Sequence, residues 1–177
     1  MSVLVGCSTS VPDRGSLDGP APSSAQEPLE QLPRASIGSS EIPLLAASWP
    51  DRLGGGSFEP DLPVQWNQVD AGVFDLDVHT DLAPWAVIVQ RFSSVGPDGA
   101  PNEMEANFLQ CSEGPPAMAH SEHSCTYAKG EGGVRIRVDA DDFPYVVVAV
   151  NWVDPDQQDL EIADAPTTSW GLQVLTQ

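Results

Sequence analysis

The sequence is short of positive charge. Its 177 residues carry 7 Lys plus Arg against 26 Asp plus Glu, a formal net charge of -19. Nucleic acid is bound by cationic groups that displace counterions from its phosphates, and anionic lipid headgroups draw on the same groups. A chain this acidic is not expected to bind either; it favours cations and cationic surfaces. Long apolar runs are also missing. No stretch approaches the roughly 18 apolar residues of a spanning helix. Lysine occurs once, at Lys129, so amine-based covalent chemistry would rest on one residue. There is no Gly-x-Ser-x-Gly elbow, no His-Glu-x-x-His pair and no phosphate-cradling glycine loop with its lysine. Carboxylates are so abundant that many pairs satisfy any glycosidase-like spacing, so none can be singled out. Aromatic residues make up 7% of the chain, but five of them are tryptophans.

What is present divides the chain. Residues 8–60 are punctuated by Pro, Gly and Ser, as in Gly19-Pro20-Ala21-Pro22-Ser23-Ser24 and Gly54-Gly55-Gly56-Ser57. Such segments lack a periodic apolar face to offset the entropy of ordering, and they read as a flexible arm. Ile42, Leu44, Leu45, Trp49 and Leu53 interrupt it with a loose apolar cluster, which docks on the domain as a clamp or first edge strand or else stays in the arm.

Residues 61–177 read as one acidic β-domain. In Val73-Phe74-Asp75-Leu76-Asp77-Val78-His79 apolar and polar residues alternate, the period of a half-buried strand. Val134-Arg135-Ile136-Arg137-Val138 repeats the pattern with arginines outward. If these strands are neighbours, Asp75 and Asp77 face Arg135 and Arg137 across the sheet. Residues 85–89 and 145–153 are β-branched on both faces and read as central strands. Residues 64–69, 107–111, 124–128 and 169–175 complete about eight strands, separated by turn signals such as Gly96-Pro97-Asp98-Gly99. The expected fold is all-β: an antiparallel β-sandwich, immunoglobulin-like or jelly-roll-like, with an open β-barrel as the alternative.

Near the N-terminus stands Leu4-Val5-Gly6-Cys7, an apolar stretch ending in a small residue and a cysteine, followed by a polar Ser/Pro-rich tether. It resembles the lipobox of bacterial lipoproteins. The resemblance covers residues 1–7 and implies nothing about the fold. It implies that residues 1–6 are the end of an export signal and that Cys7 becomes the lipidated first residue of the mature chain. The location it implies is extracytoplasmic and lipid-anchored at the cell membrane, with secretion as the alternative.

Cys111 and Cys125 enclose a loop holding His120 and His123. A disulfide between them is expected, and with Cys7 set aside they are the only pair. The competing use is a zinc or copper site of Cys111, His120, His123 and Cys125, since two thiolates and two imidazoles suit a tetrahedral ion. A histidine-only site at His120 and His123 is the intermediate case. Asp154, Asp156 and Gln158 have the alternation that opens a calcium loop, but lack its glycine and terminal glutamate. Trp152, beside that loop, is a candidate to line a sugar or peptide site. No cofactor is expected unless Ca or Zn binds at these positions. The sequence thus predicts an exported, surface-anchored, monomeric binding or interaction domain whose partner is a cationic surface or protein or a small ligand. A metal-binding domain and a carboxylate-based hydrolase with no assigned catalytic residue are the alternatives.

Overall fold

The computed structural model describes residues 32–49, 56–114, 125–140, 143–153 and 165–175. They form two facing, mainly antiparallel sheets, a β-sandwich without barrel closure. The first sheet contains β1 (Arg34–Ile37), β2 (Ser40–Ile42), β6 (Val73–His79), β9 (Ser112–Glu113), β10 (Cys125–Gly130) and β11 (Gly133–Asp139), in the order β2-β1-β6-β11-β10-β9. The second contains β3 (Ala46–Trp49), β4 (Gly56–Phe58), β7 (Pro84–Phe92), β8 (Asn107–Gln110), β12 (Tyr145–Trp152) and β13 (Thr167–Leu175), in the order β4-β3-β13-β12-β7-β8. β5 (Asn67–Asp70) lies parallel to the C-terminal half of β13.

Alternation places the core. In the first sheet Ala35, Val78 and Val134 form one inward row, and Leu76, Ile136 and Tyr127 the next. In the second, Val89, Val148 and Trp170 lie side by side, followed by Val87, Val150 and Thr168. These apolar rows meet in one buried cluster, the main stabilising term of such a fold. A smaller apolar layer forms on the outside of the second sheet. There Trp66 packs edge-on against Tyr145, with ring centroids 5.0 Å apart, and its indole N–H donates to the Gly99 carbonyl. Gly171 lies beneath it, and a Cβ there would sit 3.2 Å from the Trp66 ring. At Gly133, where β11 crosses close to β6, φ is +152° and any Cβ would collide with the Val78 carbonyl oxygen.

Part of the segment before residue 61 lies in the sandwich. β1 to β4 all precede that residue, and Ala35, Ile42, Ala47 and Trp49 are buried. The Pro/Gly punctuation there separates short strands that are part of the sandwich, with β2 and β4 outermost. Of the apolar cluster in the arm, Ile42 and Trp49 are core residues and Leu44 packs against the core, while Leu53 lies outside the described residues. No helix among the described residues is long and apolar enough to cross a membrane.

Candidate functional site

Cys111 and Cys125 form a disulfide. Cys111 follows β8 in the second sheet, where its amide donates to the Val87 carbonyl, and Cys125 opens β10 in the first. The bond therefore ties the two sheets together at one edge, with both cysteines buried. With the sulfurs joined, neither is available as a thiolate, so the four-ligand zinc or copper set is withdrawn for this state. His120, His123, Asp154 and Asp156 lie outside the described residues, as does Cys7. Among the described residues no group of three or more His, Cys, Asp or Glu is arranged to hold a metal ion.

Among the described residues an array of paired charge lies on the outer face of the first sheet. Asp77 is opposite Arg135 and Asp75 opposite Arg137, as the alternation predicts. The Arg135 guanidinium donates from Nε to Asp77 Oδ1 at 2.6 Å and from Nη2 to Oδ2 at 3.2 Å, a two-pronged bond. Arg137 donates to Asp75 at 3.3 Å. At the sheet edge Lys129 donates to Glu113 at 3.2 Å, across the parallel β9–β10 pair. Arg34, Lys129, Arg135 and Arg137, four of the chain's seven Lys and Arg, thus lie on this one sheet. Two shallow depressions cross the face. One, of about 430 Å³, is lined by Asp77, His79, Lys129, Glu131 and Arg135 around the β10–β11 hairpin. The other, of about 270 Å³, includes Asp75, Tyr127 and Arg137.

The hydrogen bond to Asp77, reinforced by its charge, raises the Arg135 pKa, which keeps an already charged group charged. Tyr127 changes chemistry more. Burial first, and the Glu113 carboxylate second, raise its phenol above the ordinary 10.0, although Lys129 opposes this. A folded-state pKa above the unfolded one gives stability that is complete below the unfolded value and is lost as pH rises through the folded one. Urea stability is therefore expected to fall more steeply above pH 10.0 in the parent than in Tyr127→Phe. Parallel urea titrations at neutral and alkaline pH test this, and equal alkaline losses in the two proteins would contradict it.

Trp152 is not a ligand-facing residue. It is fully buried, and its indole N–H donates to the buried Thr168 hydroxyl at 2.9 Å. The apolar run that places it in a strand also turns it inward, and a ligand has no access to its ring. Among the described residues the exposed aromatics are instead Phe58, Trp85 and Phe108, the last 63% exposed. Phe108 was hidden within a short strand whose alternation is ambiguous. Arg91 was equally unmarked, being one charge in an apolar run. It is buried at one end of the sandwich, where its guanidinium donates to the Asp139 carbonyl and lies 5.6 Å from the centroid of the Phe143 ring.

These features define a disulfide-tied, acidic β-sandwich with a charge-paired outer face. No protein-family model matches the chain, and no curated protein or solved structure is detectably similar to it.

Proposed function

We propose that the chain is an exported, surface-anchored binding or protein-interaction domain. The observation that carries this reading is the disulfide between Cys111 and Cys125. Such bonds persist in oxidising compartments and are rare in the cytosol. Their pairing leaves Cys7, in its lipobox-like setting, as the one remaining cysteine of the three. The Ser/Pro-rich residues after Cys7 then serve as a tether from the membrane to the sandwich.

Interaction is favoured over catalysis by how the charges are arranged. Asp75, Asp77, Arg135 and Arg137 neutralise one another in a cross-strand ladder on an open sheet face. Catalytic groups would instead converge on one point with strongly shifted pKa values. The large net negative charge steers cationic partners towards the domain, at a rate that falls with added salt.

The test is the chemical state of Cys7 in full-length protein made by an exporting bacterial host. Cys7 is expected at the mature N-terminus, bearing lipid, with the protein in the detergent phase of a phase-separating detergent; Cys7→Ser should move it to the aqueous phase. Unmodified Cys7 in a cytosolic chain with free Cys111 and Cys125 would overturn the reading.

A further inference from the structure

We propose that the free edge of β8 is a docking site for an extended, basic segment of a partner protein, which joins the second sheet as an added strand. This rests on the reading of the chain as an interaction domain and assigns the surface it uses.

Five strands have an open side among the described residues: β2 and β9 in the first sheet, and β4, β8 and β5 in the second, where β5 pairs only with β13 and ends in the charged Asp70. β9 has two residues, and β2 carries Glu41 at its centre, a charge of the kind that protects edges from pairing. β4 is Gly-Ser-Phe, three residues opened by a glycine. β8 is Asn-Phe-Leu-Gln, uncharged, with Phe108 63% exposed and, just before it, Met104 96% exposed. An exposed, charge-free edge with a large apolar side chain is a template for strand addition.

The direction of its hydrogen bonds follows from register. The Cys111 amide donates to Val87 in β7, and β8 pairs antiparallel with β7 through Asn107↔Arg91 and Leu109↔Val89. In an antiparallel ladder alternate residues turn their N–H and C=O to opposite sides. Leu109 and Cys111 are therefore bonded to β7, whereas Phe108 and Gln110 present their backbone groups to the open side. No strand among the described residues covers that side.

β8 is also held at both ends. Before it, Glu105 accepts hydrogen bonds from the Ser93 and Ser94 hydroxyls at 2.8 and 3.4 Å. After it, Cys111 is tied to the first sheet by the disulfide. A pre-ordered edge lowers the entropic cost of adding a strand.

Charge selects the occupant. A second copy would bring together two bodies of net charge -19. A partner strand with apolar residues at alternate positions and Lys or Arg between them satisfies Phe108 and Met104 and is attracted by the surrounding field, including Glu105.

The test titrates the full chain, disulfide intact, with a capped alternating Val-Lys peptide while amide exchange is followed by NMR. Exchange is expected to slow at Phe108 and Gln110 in particular. An N-methylated peptide of equal charge should give no such protection. Gln110→Pro removes one outward donor without touching the bonds to β7 and suits an edge position, so affinity should fall about tenfold or more. Should that variant fold poorly, Phe108→Ser gives an independent reading through loss of the apolar anchor. Absent binding, equal effects of both peptides, protection on the first sheet instead, or self-association lost in Gln110→Pro would each overturn the proposal; the last would give the edge to a second copy. These outcomes are separate from the state of Cys7. A lipidated chain whose β8 edge binds nothing sinks only the docking site, and an edge that binds in a chain with unmodified Cys7 sinks only the location.

Discussion

Replacing Cys111 and Cys125 together by Ala is expected to lower the unfolding free energy by about 3 kcal/mol, the loop-closure entropy for a bridge of this length. The bridged residues are 14 apart in sequence, and their Cα atoms are 4.7 Å apart. The loss should be local in origin. Cys111 ends the four-residue β8, and Cys125 begins β10, which reaches the rest of its sheet through β11. Without the bond, the edge formed by β8, β9 and β10 is expected to open first, with amide exchange rising there before it rises in β6 or β12. Urea unfolding of the double variant should match that of the reduced parent, since both lack the same constraint. Equal stability of the oxidised parent and the double variant would show that the bond closes a loop already held by other contacts.

Trp152→Ala is expected to cost roughly 3–5 kcal/mol, the range for truncating a large buried aromatic. Trp152 and Trp170 are both fully buried and belong to the same core, yet they differ in one hydrogen bond. The Trp152 N–H donates to Thr168, whereas the Trp170 N–H has no acceptor among the described residues. Phenylalanine at each position separates packing from polarity. Trp152→Phe deprives the buried Thr168 hydroxyl of its donor, a penalty of about 1–3 kcal/mol beyond the lost volume. Trp170→Phe removes a polar group that was itself unsatisfied, so lost volume is its main cost. Urea titrations should rank Trp152→Phe as the more damaging change, and the reverse order would mean that cavity shape outweighs the hydrogen bond.

The long, half-buried strands were legible in the sequence because period-two alternation over five or more residues leaves little ambiguity. The sequence reading of β6 has the observed ends, 73–79, and its conditional facing of Asp75 and Asp77 with Arg135 and Arg137 matches the pairing, while the neighbour relation and the register come from the structure. β7 and β12 were legible as β-branched runs, although β7 extends to Phe92 because Arg91 turns inward among apolar residues. The short strands β1 to β4 were not legible. Three or four residues hold too few alternations to outweigh nearby Gly and Pro, and pairing with long neighbours decides their conformation. The Cys111–Cys125 link was readable from cysteine count, but its placement between two sheets depends on β8 and β10 belonging to different sheets, which no local pattern encodes. The sequence left the inward turn of Trp152 open, as core or as ligand-lining, for a related reason. β12 is apolar on both sides, and its ladder with β7 shifts register between Asn151 and Trp152. The exposed edge at Phe108 likewise depends on the order of strands in the finished sheet.

The most direct measurement is intact mass with thiol alkylation, before and after reduction, on full-length protein taken from outside the cytoplasm of an exporting host. Cys111 and Cys125 should resist alkylation until reduced, and the native mass should lie below the reduced mass by the two thiol hydrogens. Native protein in which both cysteines alkylate freely, or in which they are protected only by a bound zinc or copper ion, would contradict the disulfide-tied sandwich and return function to Cys111, His120, His123 and Cys125.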